Sequence, residues 1–175
     1  MILHHFYKKE NKDKIIANKI YLSAIEFIQL IINKREFKIK KDFNSSFELM
    51  TILLFSIFFA SKKKSKNKHI NQYLMNLYII DLDKSLRELG IGDMSVGKYV
   101  KSYVKKFYYR VSKLENIFKT NNFKEFDKYI NRINIQNHSN NKTNLSKYLF
   151  IVANELLKKA KGIDLSKFTF VNFIN

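Results

Sequence analysis

The side chains with the widest chemical reach in this sequence are few. There are four histidines, His4, His5, His69 and His138, four arginines, Arg35, Arg87, Arg110 and Arg132, and no cysteine. No two histidines stand three or four apart, as they would to share a metal on one helix face, and adjacent side chains such as His4 and His5 point apart. Without thiols the only nucleophiles are Ser, Thr and Lys, and no Ser–His spacing suggests a triad. Asp81 and Asp83 stand two apart, so on a helix they diverge and form no acid–base pair. Gly90-Ile91-Gly92 with Gly97 is not a dinucleotide fingerprint, because a helical pattern precedes it where a strand is required. No phosphate-cradling Gly-x-x-x-x-Gly-Lys-Ser/Thr loop occurs. The expectation is a protein that is not an enzyme, with no metal and no cofactor.

The chemistry left over is recognition. Glycine occurs only four times, and Gly90, Gly92 and Gly97 fall within eight residues. Gly90 suits a left-handed helix end, and Gly92 suits a tight turn. Gly97 would sit in the first turn of the next helix, where it costs about 1 kcal/mol against Ala; a close approach by another backbone or by a partner would justify it. Arg87 and Arg110 flank this segment, and a guanidinium can hold a carboxylate in a two-pronged way that Lys cannot. The nearby acids are Asp81, Asp83, Glu88 and Asp93. Two readings stay open, a stiff corner stapled by Arg–Asp pairs and a partner-binding surface, and one corner can serve as both. The candidate partner-binding set is Asp81, Asp83, Arg87, Gly90, Gly92, Asp93, Val96, Gly97, Lys98, Lys101, Lys105, Tyr108 and Arg110.

The elements that must position this set are helical. Ile16, Ile20, Ala24, Phe27 and Ile31 recur at helical spacing and predict a first helix over Lys12–Ile32. Ser45 and Glu48 have capping-box spacing and predict a second helix to Ser61. That helix is apolar nearly all round, the pattern of a bundle's buried centre. A third helix over His69–Leu89 carries the stripe Met75, Ile79, Leu82, Leu86 and Leu89, with Asp83–Arg87 an i,i+4 ion pair. Asp93 or Ser95 is placed to cap a fourth helix reaching Lys119, with Val96, Val100, Phe107, Val111, Leu114 and Phe118 inward. Phe123, Phe126, Ile130 and Ile133 predict a fifth helix. Leu145, Leu149, Val152, Leu156 and Ala160 predict a sixth, stopped by Gly162. With no proline in the chain, Gly, Asn and Ser must supply the punctuation. The fold expected is all-α, a single-domain bundle of about five to six helices over 1–175, with its core in 45–120 and mobile ends at 1–11 and 163–175.

The formal net charge is +18. The cations are almost all Lys, alongside abundant Asn, Ile, Phe and Tyr, which is what AT-rich coding writes on any exposed face. The alternative is a basic RNA- or ribosome-binding helical module, with Lys98, Lys101, Lys105, Lys106 and the run Lys62-Lys63-Lys64 on phosphates. A peripheral membrane surface is a third reading. The longest apolar run, Leu49–Ala60, is shorter than the roughly 20 residues a bilayer requires. No targeting segment is visible, so a cytoplasmic protein is expected, peripheral at most on the cytoplasmic face of the inner membrane.

The stretch Asp81-Leu82-Asp83-Lys84-Ser85-Leu86-Arg87-Glu88-Leu89-Gly90-Ile91-Gly92-Asp93-Met94-Ser95-Val96-Gly97-Lys98 resembles the signature of the ubiquinol-cytochrome c chaperone family. In that signature an acidic, Arg-bearing helix ends in Gly-x-Gly-Asp and is followed by Val-Gly-Lys. Phe107-Tyr108-Tyr109-Arg110 resembles the continuation, and Phe47-Glu48-Leu49 resembles the family's Phe-Asp-Leu entry to a hydrophobic helix. Leu53 departs from it, standing where His is frequent. The resemblance covers roughly Phe47–Leu114. It implies an assembly chaperone of ubiquinol–cytochrome c reductase, with cytochrome b or another subunit as client, and with the ribosome and a small co-chaperone as further partners.

Overall fold

The computed structural model describes residues 2–62, 67–137, 142–160, 165, 168 and 170, with side chains from residue 12 onward and over 144–158 in the last helix. Among these the chain folds as six helices: α1 Ile2–Asn33, α2 Phe43–Ser61, α3 Lys68–Glu88, α4 Asp93–Lys119, α5 Phe123–Ile133 and α6 Lys142–Ala160. One 3-10 turn, Arg35–Phe37, follows α1. The expected all-α bundle is therefore the fold. Lys63, Lys64, His138, Gly162 and most of the tail lie outside the described residues, as do the side chains of His4 and His5.

The centre of the bundle is α2. Its apolar circumference is satisfied by burial against α1, α4 and α6. Leu49, Ile52, Leu53, Leu54, Phe55 and Ile57 are all buried. The polar interruptions return their protons to the helix itself: Thr51 Oγ1 donates to the Phe47 carbonyl at 2.8 Å and Ser56 Oγ to the Ile52 carbonyl at 2.9 Å. Such back-bonding is how a hydroxyl survives inside an apolar core.

Several boundaries differ from expectation. α1 begins at Ile2, ten residues before Lys12, because no Gly or Pro interrupts the segment. The cap of α2 is Asp42, whose carboxylate accepts from the Ser45 backbone N–H at 2.8 Å. The Ser45–Glu48 capping box does not form, since α2 starts two residues earlier and carries both side chains into the interior. α4 begins after Gly92, and neither Asp93 nor Ser95 caps it; Ser95 Oγ instead donates to the Gly92 carbonyl at 3.0 Å. Leu89 leaves the predicted stripe and is 60% exposed.

Asparagine does supply punctuation. Asn122 caps α5 by accepting from the Glu125 N–H, and Asn121 and Asn134 take positive φ at the two ends of that helix. The connection after α1 is less polar than it looked, because Phe37 and Ile39 are buried. Ile39 bridges antiparallel to Gln136, with Lys40 N donating to Ile135 O at 2.8 Å and Asn137 N to Lys38 O at 2.9 Å. Leu165, Phe168 and Phe170 are core residues, although 163–175 was expected to be mobile.

Two stretches, Lys12–Asn33 and Phe43–Ser61, are long and apolar enough to cross a membrane by length and composition. The reading that no segment reaches bilayer length is corrected accordingly. Two-thirds of the α2 stretch is buried inside the bundle, as expected of a core helix.

Candidate partner-docking face

The corner between α3 and α4 is built from its glycines. Gly90 has φ +88°. Ile91 N–H donates to the Leu86 carbonyl at 3.1 Å and Gly90 N–H to the Arg87 carbonyl at 2.8 Å, the paired pattern of a Schellman stop. The Arg87 guanidinium then spans the corner. Its Nε donates to Asp83 at 2.6 Å, and Nη1 pairs with Asp93 at the start of α4. Arg87 and Asp93 are both well exposed, so this staple contributes under about 1 kcal/mol. It sets direction more than it adds stability.

The surroundings of the corner are open. A Cβ added at Gly92 or Gly97 would meet nothing within 4 Å. Among the described residues no other element therefore stands against Gly97. Leu89, Met94 and Tyr99 are exposed large apolar side chains around it, with Met94 fully exposed. Lys98, Lys101, Lys105 and Tyr108 are exposed along α4. Beside this face a groove of about 220 Å³ runs between α1, α2 and α3. Ile25, Ile28, Ile32, Phe43, Met50 and Leu82 give it an apolar lining, and Asp81 stands at its wall.

Three residues of the expected set point elsewhere. Val96 is 3% exposed and belongs to the core, since the first inward position of α4 must pack on the bundle. Asp81 accepts from Tyr21 Oη at 2.7 Å and so joins α3 to α1. Burial and this carboxylate together push the Tyr21 phenol far above its usual range. Asp81 and Asp83 thus serve different neighbours, as their divergence on the helix required.

Arg110 does hold a carboxylate, but not one of the acids near the corner. Its partner is Glu48, fully buried on α2. Arg110 Nη2 and Nε reach Glu48 Oε1 at 3.0 and 3.2 Å, Lys106 Nζ reaches the same oxygen at 3.1 Å, and Tyr129 Oη donates to Oε2 at 3.4 Å. Arg110 also stacks over the Tyr129 ring. Burial first, then the Glu48 charge, raises the Tyr129 phenol well out of its ordinary range, with Arg110 opposing. Sequence reasoning missed this cluster. The available signal was a lone acid inside an apolar helix, which must find cations from elsewhere; Lys106 and Arg110, four apart on α4, were the pair able to meet it.

The fold and this geometry define an all-α bundle whose most open chemistry lies on a face made by a stiff corner, a basic helix side and an apolar groove. Residues 35–148 match the model of the family described as Ubiquinol-cytochrome C chaperone, and the chain belongs to that family. Membership carries a chaperone role in assembling the reductase, with a protein of that complex as client. The fold is also similar to the crystal structure of the Cbp3 homolog from Brucella abortus, with a TM-score of 0.76 and 22% identity over 95% of this chain and 99% of that one. A search of curated protein sequences finds no match.

Proposed function

We propose that the protein is a non-catalytic assembly chaperone that binds newly made cytochrome b, or another reductase subunit, through the α3–α4 corner, the exposed side of α4 and the adjoining groove. The observation that carries this is Gly97: a glycine inside a helix, costing about 1 kcal/mol, where an added Cβ would meet no other element among the described residues within 4 Å. A partner packing closely against that position gives the glycine a reason. The groove between α1 and α3 adds apolar surface able to cover a membrane segment before insertion, and the charged rim keeps the loaded protein in water. The site of action is then the cytoplasm, at the inner-membrane face where such a client is inserted. A small co-chaperone and the ribosome are compatible partners.

The test is Gly97→Leu in cells, with cytochrome b recovered by crosslinking and pull-down. The variant is expected to fold and to capture much less cytochrome b. Unchanged capture and normal reductase levels would remove the corner from the mechanism.

A second reading rests on Lys98, Lys101 and Lys105, which are exposed together on α4. Contacts from these to RNA phosphates require log affinity to fall with log salt by about 0.7–0.9 per contact. Binding to RNA that is flat between low and moderate salt excludes it.

A further inference from the structure

Between α4 and α5 lies another cleft, of about 420 Å³, which shares no lining residue with the groove between α1, α2 and α3. Its walls bring three cations together, Arg110 and Lys113 from α4 and Arg132 from the last turn of α5, against one carboxylate, Glu125. Glu125 is already taken: Lys128 Nζ donates to it at 2.7 Å, and that bond holds its pKa below the usual carboxylate value. Arg110 is turned so that only Nε and Nη2 serve Glu48, both on one oxygen. Among the described residues its Nη1 edge holds no bond, and Arg132 and Lys113 hold no ion pair within 4 Å. Behind the wall Glu48 carries one negative charge against two cations, Arg110 and Lys106, so the buried cluster does not cancel the field of the cleft. The floor is Tyr129, 7% exposed, with its ring under Arg110 and its hydroxyl fixed on Glu48. Lys113 sits over the Tyr109 ring at 5.6 Å, which places a second cation beside an aromatic at the rim.

Composition sharpens the point. In a chain that writes nearly every cation as Lys, two of its four arginines line this one cleft. Arg110 is explained by Glu48, whereas Arg132 has no hydrogen bond or ion pair among the described residues and only the longer-range pull of Glu125 and of the carbonyl end of α5. Two planar forks from different helices, Arg110 partly buried and Arg132 exposed, with excess positive charge over the buried Tyr129, match the chemistry that carboxylates and phosphates prefer. We propose that the α4–α5 cleft is a binding site for the phosphate or carboxylate group of a small molecule, held by Arg132 and the free edge of Arg110, with Lys113 adding charge. This does not rest on the chaperone reading, since the cleft and the groove have no lining residue in common.

The full chain suits a direct test, because four arginines give four separate Nε–Hε signals in a 15N-labelled sample. Inorganic phosphate and succinate are titrated in separate arms at ionic strength held constant with chloride. The Arg110 and Arg132 signals are expected to shift and saturate, while Arg35 and Arg87 stay still. Arg132→Gln is expected to weaken the saturating anion roughly tenfold, the loss of one charge-assisted contact, and Arg35→Gln to leave it unchanged. Tighter phosphate marks a phosphate ester as the natural ligand; tighter succinate marks a carboxylate. Four signals that drift together without saturating, or an Arg132→Gln protein that binds like the parent, would overturn the site.

Discussion

Two arginine–carboxylate clusters share α4 and do opposite things, one joining it to α3 and the other to α2. At the corner, Arg87 joins Asp83 and Asp93 in the open, with the Asp93 side chain 87% exposed. Details of packing matter little there, since water screens the pair and leaves it worth little. Inside, Arg110 and Lys106 join Glu48, which no water reaches. Taking both cations from a buried anion would leave a charge that the interior cannot solvate. Identical functional groups therefore orient a surface in one place and hold helices together in the other, and burial alone decides between them.

The comparison can be broken most severely by alkali. Tyr21, Tyr78 and Tyr129 all have phenols raised above the ordinary value of about 10 by burial, aided in each case by a neighbouring carboxylate. A group whose folded constant is raised favours the folded state below its unfolded value. That contribution declines as pH climbs past about 10. Helix content followed by circular dichroism should be lost above that pH, with the last tyrosinate absorbance appearing in the same transition. Tyrosinate from every tyrosine with the helices intact would show the interior to be wetter than described.

Next in size is Arg110→Ala, expected to cost about 1.5–3 kcal/mol in urea unfolding, because two bonds to a buried carboxylate are lost while Lys106 still holds it. Glu48→Gln combined with Arg110→Met should lose less, because the buried anion is gone and Lys106, a third exposed, can turn its charge to water. A cost under 1 kcal/mol for Arg110→Ala would put both clusters in one class and end the contrast.

At the corner the expected effects are small and one has the opposite sign. Gly97→Ala should raise stability by up to about 1 kcal/mol, since the helix gains a better former and the added methyl touches nothing. Destabilisation in the same urea assay would mean that the position is more crowded than it looks. Arg87→Ala should change stability by less than about 1 kcal/mol, and by less still in high salt, while client capture falls.

Much of this was legible because it is local. The apolar circumference of α2 foretold its central place, and Gly90 foretold the stop of α3, since each depends on residues within a turn or two. Arg87 found Asp83 and Asp93 for the same reason. Glu48 was misread by that same local logic: a Ser three residues ahead made it look like a cap, and its true partners lie about sixty residues on. Asp81 likewise accepts a hydrogen bond from Tyr21, sixty residues back. The Ile39–Gln136 bridge is too short to leave any alternation in sequence. Val96 was placed in both the core stripe and the docking set, and packing settles it in the core.

Phe170 lies against Phe27 with ring centres 6.0 Å apart, and its backbone N–H donates to Ser23 Oγ at 3.3 Å, across 147 residues of chain. The first helix therefore stays incompletely covered until the chain has been synthesised through residue 170. Closure of such a distant contact is a late event in folding. A chain released early by premature termination would leave that seam open on α1, giving quality control an apolar strip by which to tell a finished molecule from an unfinished one.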